Sequence, residues 1–493
     1  ASSCPPSMRP PCDASQAGMV ELHAYQKQAV LFALQAFQTH GGAGLFLDMG
    51  LGKTLTTIAI LDVMHRLHPD WRFLIVAPKT VAVNTWPAEL AKWRQAHTLD
   101  WAVACGVKSN AKQRREALAQ QATVTIINQE NLGWLDRELA QWPWDGIVLD
   151  ELSGYKDPSS NRFRILKRRR QDRTHAPKHP GHGRPVQWVL GLTGTPAAKG
   201  LMDLWAQCRL LDTTGALETT LTRYRETYFT PGRRNGHVVY EWRARPGAFD
   251  RIMRRIEPFC LTMLAREQLQ GLPDKPLIID HWVDMPEQTR REYERFKHER
   301  WLELAGRQVT AVNAGVLAGK LVQFTSGCLY PDEDSVDGRV IHYDAAKLDV
   351  FDRIMAESQG EQILVFYQLR DELDRLRAKY GKRVRTVDEP GIVDAWNRGE
   401  VPVLAAHPAQ AKFGLNLQHA GHIIVWLNLT WSLEDWAQAN ARLDRQGQTR
   451  IVQIHRIVTR DSVDERKLDV LSGRAVLADA VMGELKHTTV SAD

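Results

Sequence analysis

Cysteine is sparse in this 493-residue chain, and what there is carries no pattern. Cys4, Cys12, Cys105, Cys208, Cys260 and Cys328 show no paired metal-ligand spacing. Cys4 and Cys12 could pair or bind a metal, but they fall in a Ser/Pro-rich stretch that reads as a flexible leader. A reducing compartment fits this usage best. The seventeen histidines form no HExxH-like cluster, so no zinc hydrolase site is visible. No apolar run reaches the eighteen or so residues of a spanning helix, which argues against a membrane protein. The first twenty residues lack the apolar core of a secretory signal. Short internal repeats and low-complexity tracts are missing too, apart from one basic run.

What is there is an ordinary globular composition at multidomain length. The hydrophobic share is 43% and the charged share 25%, enough for sizeable cores, and the length predicts roughly three domains of about 150 residues. The net charge of +6 is too small to name a partner by itself. Apolar strands are predicted at Leu45–Leu47, Phe73–Ala77, Val124–Asn128, Ile147–Leu149 and Trp188–Leu192. Helical patterns lie between them, for example Trp86–Gln95 and Ala111–Gln120. Continuous apolar strands separated by helices predict a parallel sheet covered on both faces.

From about Leu201 to Tyr343 the alternation breaks, with charged helices, a hairpin signal at Asn235-Gly236 and an acidic loop at Asp332–Asp337. It resumes with strands at Ile363–Tyr367, Val384–Val387, Val403–Ala405, Ile423–Leu427 and Ile451–Ile457, and helices at Leu369–Lys379, Ser432–Leu443 and Ser462–Leu471. The expected organisation is a leader (1–19), a first α/β lobe (20–212), a helical insertion and connection (213–343), a second α/β lobe (344–475) and a tail (476–493).

The segment Asp48-Met49-Gly50-Leu51-Gly52-Lys53-Thr54 sits between an apolar strand and a helix. That is the setting of a loop that cradles a nucleotide triphosphate. Gly50 and Gly52 let backbone amides approach phosphate oxygens. Lys53 supplies a point charge for the outer phosphates and Thr54 a hydroxyl for magnesium. A glycine turn capping an ordinary helix is the alternative. Ile147 through Leu149 ends in Asp150 and Glu151, at a strand terminus where such folds bind ligands. Asp150 would hold magnesium and Glu151 would orient and deprotonate the attacking water.

Downstream, Gln438, Arg442 and Arg445 fall at i, i+4 and i+7 of a predicted helix, hence on one face. Such arginines can stabilise a γ-phosphate as arginine fingers, or merely decorate a solvated helix. The basic run from Arg162 to Arg184 includes Lys167, Arg168, Arg169 and Arg170 with Asp172 as its one acid. Within a loop spanning 162–185 it reads either as a mobile solvated segment or as a phosphate-backbone contact.

Taken in order, these motifs resemble the superfamily 2 helicases, and specifically the Swi/Snf-type DNA translocase ATPases, over about Leu22 to Leu471. Leu22-His23-Ala24-Tyr25-Gln26 resembles the Q motif, and Asp48 through Thr54 motif I. Leu74 through Lys79 with Trp86 and Glu89 is similar to motif Ia, and Thr125 through Asn128 stands where motif Ib does. Leu192-Thr193-Gly194-Thr195-Pro196 resembles motif III, Ile363 through Gln368 motif IV, Gly414 through Gln418 motif V, and Gln438 through Gln448 motif VI.

The resemblance implies two RecA-like parallel-sheet lobes of the P-loop NTPase type with a helical insertion between them. It implies ATP contacts from Gln26, Met49, Gly50, Leu51, Gly52, Lys53, Thr54 and Thr56, magnesium at Thr54 and Asp150, and an ATPase set of Lys53, Asp150, Glu151, Gln438, Arg442 and Arg445. DNA contacts are expected at Lys79, Asn128, Thr195, Gln368 and Asn416, with Lys167, Arg168 and Arg169 from the basic run. One departure stands out. Motif II reads Asp150-Glu151-Leu152-Ser153, where the family usually has Asp-Glu-Ala-His, so Ser153 weakens or reroutes the link to motif III.

The expected activity is an ATP-dependent translocase on duplex DNA, bound through its backbone without sequence preference. The rivals are a strand-separating DNA or RNA helicase and a nucleotide-gated DNA clamp with little turnover. No appended chromatin-reading, nuclease or RING-like module is evident, which fits a compact phage- or bacterium-type member in the cytoplasm. A nuclear location applies if the source is eukaryotic.

Overall fold

The structure, a computed structural model, describes residues 21–93, 96–105, 111–170, 186–194, 196–197, 200–232, 234–235, 238–239, 242–268, 275–305, 319–330, 340–411 and 415–472. The chain divides into two compact units, with the break between Gln268 and Leu269. Both are α/β lobes, each built on one parallel sheet.

The first lobe carries β1 (Gly42–Leu47), β2 (Phe73–Ala77), β3 (Trp101–Val103), β4 (Val124–Asn128), β5 (Gly146–Asp150), β6 (Trp188–Leu192) and β7 (Cys260–Met263). They form a seven-stranded sheet in the order β7-β1-β6-β5-β2-β4-β3, and every pairing is parallel. β1, β2, β4 and β6 are buried along their whole length. This is why they read as unbroken apolar runs rather than alternating ones. Around the sheet lie α1 (Ala24–His40), α2 (Lys53–Leu67), α3 (Trp86–Lys92) and α4 (Asn161–Arg170). Phe37 on α1 stacks on Trp188 of β6 at 4.5 Å between ring centroids. That indole fills the space that a side chain at Gly146 of β5 would need.

The second lobe carries β8 (Leu277–Val283), β9 (Ile363–Phe366), β10 (Val384–Thr386), β11 (Val403–Ala406), β12 (Ile423–Trp426) and β13 (Gln453–Thr459), with α5 (Arg370–Tyr380) and α6 (Leu433–Asn440). Its sheet runs β8-β13-β12-β9-β11-β10, again parallel throughout. Phe351, Phe366, Trp396 and Trp426 are fully buried. No described helix is long and apolar enough to cross a membrane.

Two strands of the parallel sheets lie in the segment expected to be a helical insertion and connection. β7 closes one edge of the first sheet, and β8 one edge of the second. β7 is a four-residue apolar stretch wedged between charged helical sequence. β8 is an edge strand with Asp280 and His281 in its middle, so neither shows a clean strand period. β3 is too short to register. The hairpin signal corresponds to an antiparallel pairing of Arg234–Asn235 with Val238–Val239, whereas Gly236 and the acidic loop Asp332–Asp337 lie outside the described residues.

Candidate nucleotide site

The phosphate-loop sequence leaves β1 at Leu47 and enters α2 at Lys53. Gly50 and Gly52 take left-handed backbone angles, φ 87° and 67°, which side chains with a Cβ rarely adopt. A Cβ built on Gly52 would also stand 2.6 Å from Gln26 Nε2. The Gln26 amide therefore lies directly against the loop, and its Oε1 accepts from the His23 amide at 3.0 Å. Asp48 fastens the loop from behind, taking the Met49 N–H on Oδ1 (2.9 Å) and the Ala265 N–H on Oδ2 (3.3 Å). Ala265 follows β7, so the strand missed in the sequence is what braces the loop. Lys53 Nζ donates to the carbonyls of Leu47 (2.8 Å) and Asp48 (3.3 Å). Thr54 is half-buried beside it. Thr56, expected at the nucleotide, is instead fully buried and bonds back to the Gly52 carbonyl at 3.2 Å, a helix-internal use of its hydroxyl.

Sheet register brings the two acids to this loop. Leu192 of β6 pairs with Leu45 on one side and with Asp150 on the other, so the ends of β1, β6 and β5 form one edge. A methyl group built on Gly194 would lie 3.8 Å from Lys53 Nζ and 3.6 Å from the Leu47 carbonyl oxygen. Asp150 Oδ2 accepts a 2.9 Å hydrogen bond from the indole Nε1 of Trp86, itself fully buried. Burial pushes the Asp150 carboxyl above its usual range, opposed by the Trp86 bond and by the Lys53 charge. The Asp150 carbonyl accepts from Gln129 Nε2 (3.1 Å), and Gln129 in turn accepts from Arg162 (3.0 Å). Glu151 sits at φ 64°. Its Oε1 accepts from Ser153 Oγ at 2.7 Å and Thr193 Oγ1 at 3.1 Å.

Lys53, Thr54 and Asp150 offer an ammonium, a hydroxyl and a carboxylate, a donor set that suits phosphate with a hard cation. Among the described residues no group of three His, Cys, Asp or Glu side chains can hold a metal alone. Magnesium here would be held by Thr54 and Asp150 together with the phosphates it accompanies.

The expected nucleic-acid residues of this lobe separate into two kinds. Lys79 and Lys167 are exposed, Lys79 just before a π-helical turn at Val81–Thr85 that leads to Trp86. Asn128 is buried, and its amide donates to Glu130 at 2.6 Å. Thr195 lies outside the described residues. The basic run is not one solvated loop, because its first part is α4. Arg169 is largely buried, donates to Asp136 Oδ1 (2.8 Å) and to the carbonyls of Ala140 (2.8 Å) and Leu139 (2.9 Å), and stacks over Trp142. Arg168 pairs with the same Asp136 from an exposed position. Arg170 is buried against the Leu211 carbonyl. These guanidiniums terminate a helix and tie it down, a role that charge counting along the sequence cannot distinguish from solvation. Residues 171–185 lie outside the described residues.

In the second lobe, α6 starts at a Ser432 cap and ends at Asn440. Gln438 is on it, buried, but Arg442 and Arg445 are beyond its end, so the three do not share one helix face. The amides of Arg442 and Leu443 bond three residues back, to Ala439 and Asn440 (both 3.2 Å), and Gly447 at φ 96° turns the chain. No proline or glycine precedes Gly447 to signal this tightening, which is why the helical spacing misled. Arg445 Nη1 instead donates to Asn416 Oδ1 at 3.0 Å, joining the residues expected for motifs V and VI. The backbone amide of Gln368 donates to Glu372 Oε2 at 2.8 Å.

Sequence reasoning missed a buried charge cluster in this lobe. Lys347 Nζ donates to Asp464 Oδ2 (2.6 Å) and Asn428 Oδ1 (3.0 Å), Lys467 reaches Asp464 Oδ1 (3.4 Å), and Asn428 donates to Glu372 (2.6 Å). Burial opposes ionisation of Asp464, but the two lysines outweigh it and hold its carboxyl at about 2. The residues are scattered in sequence, so no motif announces them.

A model of the SNF2-related domain matches residues 25–326. Protein p41 of Acyrthosiphon pisum secondary endosymbiont phage 1 is 30% identical over 453 residues, covering 90% of this chain and 95% of that protein. An uncharacterized ATP-dependent helicase of Mycoplasma genitalium is 24% identical and covers 94% of this chain but 42% of its own length. The chromatin structure-remodeling complex subunit snf21 of Schizosaccharomyces pombe is 24% identical over 91% of this chain and 38% of its own length. The chain thus spans less than half of these two longer relatives. Among solved structures, the Sulfolobus solfataricus SWI2/SNF2 ATPase core in complex with dsDNA aligns over 96% of this chain and 95% of its own, with 21% identity and a TM-score of 0.44.

Proposed function

The chain belongs to the SNF2-related family of ATPases, and from that premise we propose that it is a motor that hydrolyses ATP to move along duplex DNA. The observation that carries this reading is the meeting of Lys53, Asp150, Glu151 and Thr193 at one edge of a parallel sheet. The amides of the Gly50–Lys53 turn and the Lys53 ammonium bind the phosphates, and Gln26 reads the base. Thr54 and Asp150 would hold magnesium, which would supply charge neutralisation on the phosphates. Trp86 keeps one Asp150 oxygen turned away, leaving the other for that task. Glu151 orients the attacking water and takes its proton as the new P–O bond forms and the β–γ bridging bond breaks. Arg442 and Arg445 meet the γ-phosphate when the lobes close, and reopening advances one lobe along the backbone. Exposed cations, Lys79 and Lys167 foremost, contact phosphates without reading sequence.

The test compares ATPase stimulation by duplex DNA, single-stranded DNA, forks and RNA, with Lys53→Ala as the blank. Strong stimulation by blunt duplex without unwinding of the fork is the expected result. Robust unwinding would make it a strand-separating helicase, and DNA binding with negligible turnover would make it a clamp.

A further inference from the structure

We propose that Ser153 is a positioning residue that, together with Thr193, fixes Glu151 and carries the link between the strand-end acids and the turn after β6. This rests on Glu151 acting as the base in the reading above. A histidine in place of Ser153 would have the reach to bridge the two segments directly. A serine hydroxyl ends one atom beyond its Cβ and cannot. In this chain the gap is closed from both sides, because Ser153 Oγ (2.7 Å) and Thr193 Oγ1 (3.1 Å) donate to the same carboxylate oxygen, Glu151 Oε1. Two donors use both lone-pair sites of that oxygen. The carboxylate plane is then set by residues on either side of it, Ser153 in the Leu152–Tyr155 turn and Thr193 just past β6.

Three features indicate a built arrangement rather than chance contacts. Ser153 and Thr193 are 2% and 1% exposed, so neither hydroxyl exchanges its partner for bulk water. Glu151 holds a left-handed backbone conformation, φ 64°, in which residues with a Cβ persist only when their surroundings over-determine them. The neighbouring Gly194 passes close to Lys53 Nζ, so a shift of the Thr193–Gly194 segment is felt by the phosphate-binding lysine and by Glu151 at once. A change in the turn therefore reorients the base through Oε1, with no third side chain between.

The experiment measures steady-state ATPase of the full chain at saturating duplex DNA for wild type, Ser153→Ala, Ser153→Thr, Thr193→Val and the Ser153→Ala/Thr193→Val pair. Ser153→Ala and Thr193→Val should each lower kcat about tenfold, the effect of losing one hydrogen bond to a charged group. The KM for ATP should move less than about twofold, because ground-state phosphate contacts are untouched. Ser153→Thr keeps the hydroxyl and should retain most of the wild-type rate. The double variant should lose less than the product of the single losses, since both hydroxyls serve one oxygen. Should Ser153→Ala fail to fold, Ser153→Cys, similar in shape with a weak donor, takes its place with the same expected loss. Wild-type kcat in the alanine or cysteine variant, multiplying losses in the pair, or a rise in KM equal to the fall in kcat overturns the proposal. Failure of the underlying reading looks different: the wild type is not stimulated by DNA, or Glu151→Gln turns over normally.

Discussion

At the scale of single residues, the phosphate loop makes distinct demands on two neighbours. Gly52 needs a left-handed φ and has the Gln26 amide against its Cα. Gly52→Ala should cost about 1–2 kcal/mol of stability for the backbone strain. It should also raise the KM for ATP by displacing Gln26, which a nucleotide-binding titration and a denaturant melt on one sample separate. Glu151→Gln should bind ATP and DNA yet stall, because the amide cannot take the proton. Persistent ATP-bound complex on DNA is the expected readout, and near-normal turnover would reject Glu151 as the base. Arg445→Ala should lower kcat by about 10³ or more, the worth of an arginine finger, while leaving ATP affinity near wild type. A fall in affinity would instead assign Arg445 to ground-state binding, and loss of its bond to Asn416 is the control to examine through Asn416→Ala.

At the scale of elements, α4 turns a run of like charges into two classes of arginine and lysine. Arg169→Ala removes four hydrogen bonds and the cover over Trp142, and should cost about 2–3 kcal/mol in a urea melt. Lys167→Ala, on the exposed side, should change stability by under about 0.5 kcal/mol. It should reduce the slope of log affinity for DNA against log salt by about one. An unaltered slope would remove Lys167 from the interface. The same contrast explains what was legible in the sequence. Strands such as Phe73–Ala77, Val124–Asn128 and Trp188–Leu192 announce themselves because both faces are buried and the apolar run is unbroken. The phosphate loop and the Asp150-Glu151 pair were legible because glycine spacing and strand-end acids are local signals. Properties that depend on what a side chain meets across the fold were not. These include Trp86 on Asp150, Asp48 on Ala265, the burial of Arg169, and the end of α6 before Arg442. β7 and β8 escaped for a related reason, since edge strands need only one neighbour and tolerate polar residues.

At the scale of the molecule, the second lobe is built to be acid-sensitive. His455 is buried on β13 with its ring stacked on His281, Nδ1 to Nε2 at 2.9 Å. Burial first, and the neighbouring imidazole second, hold His455 down at about 4. An unfolded histidine titrates near 6.5, so between about pH 6.5 and 4 the unfolded chain binds a proton that the folded lobe refuses. The stabilisation is complete above that window and is lost as pH falls through it. Hydrogen exchange should therefore show amides of β12 and β13 losing protection on acidification from pH 7 to 4.5, before Asp464 begins to protonate. His455→Phe should flatten that dependence, and an unchanged profile would discount the histidine pair.

Arg170, locked to the Leu211 carbonyl, and β6, beginning at Trp188, pin both ends of the intervening stretch to the same lobe. A chain severed between them should therefore stay one particle, its two pieces copurifying because the seven-stranded sheet holds each end.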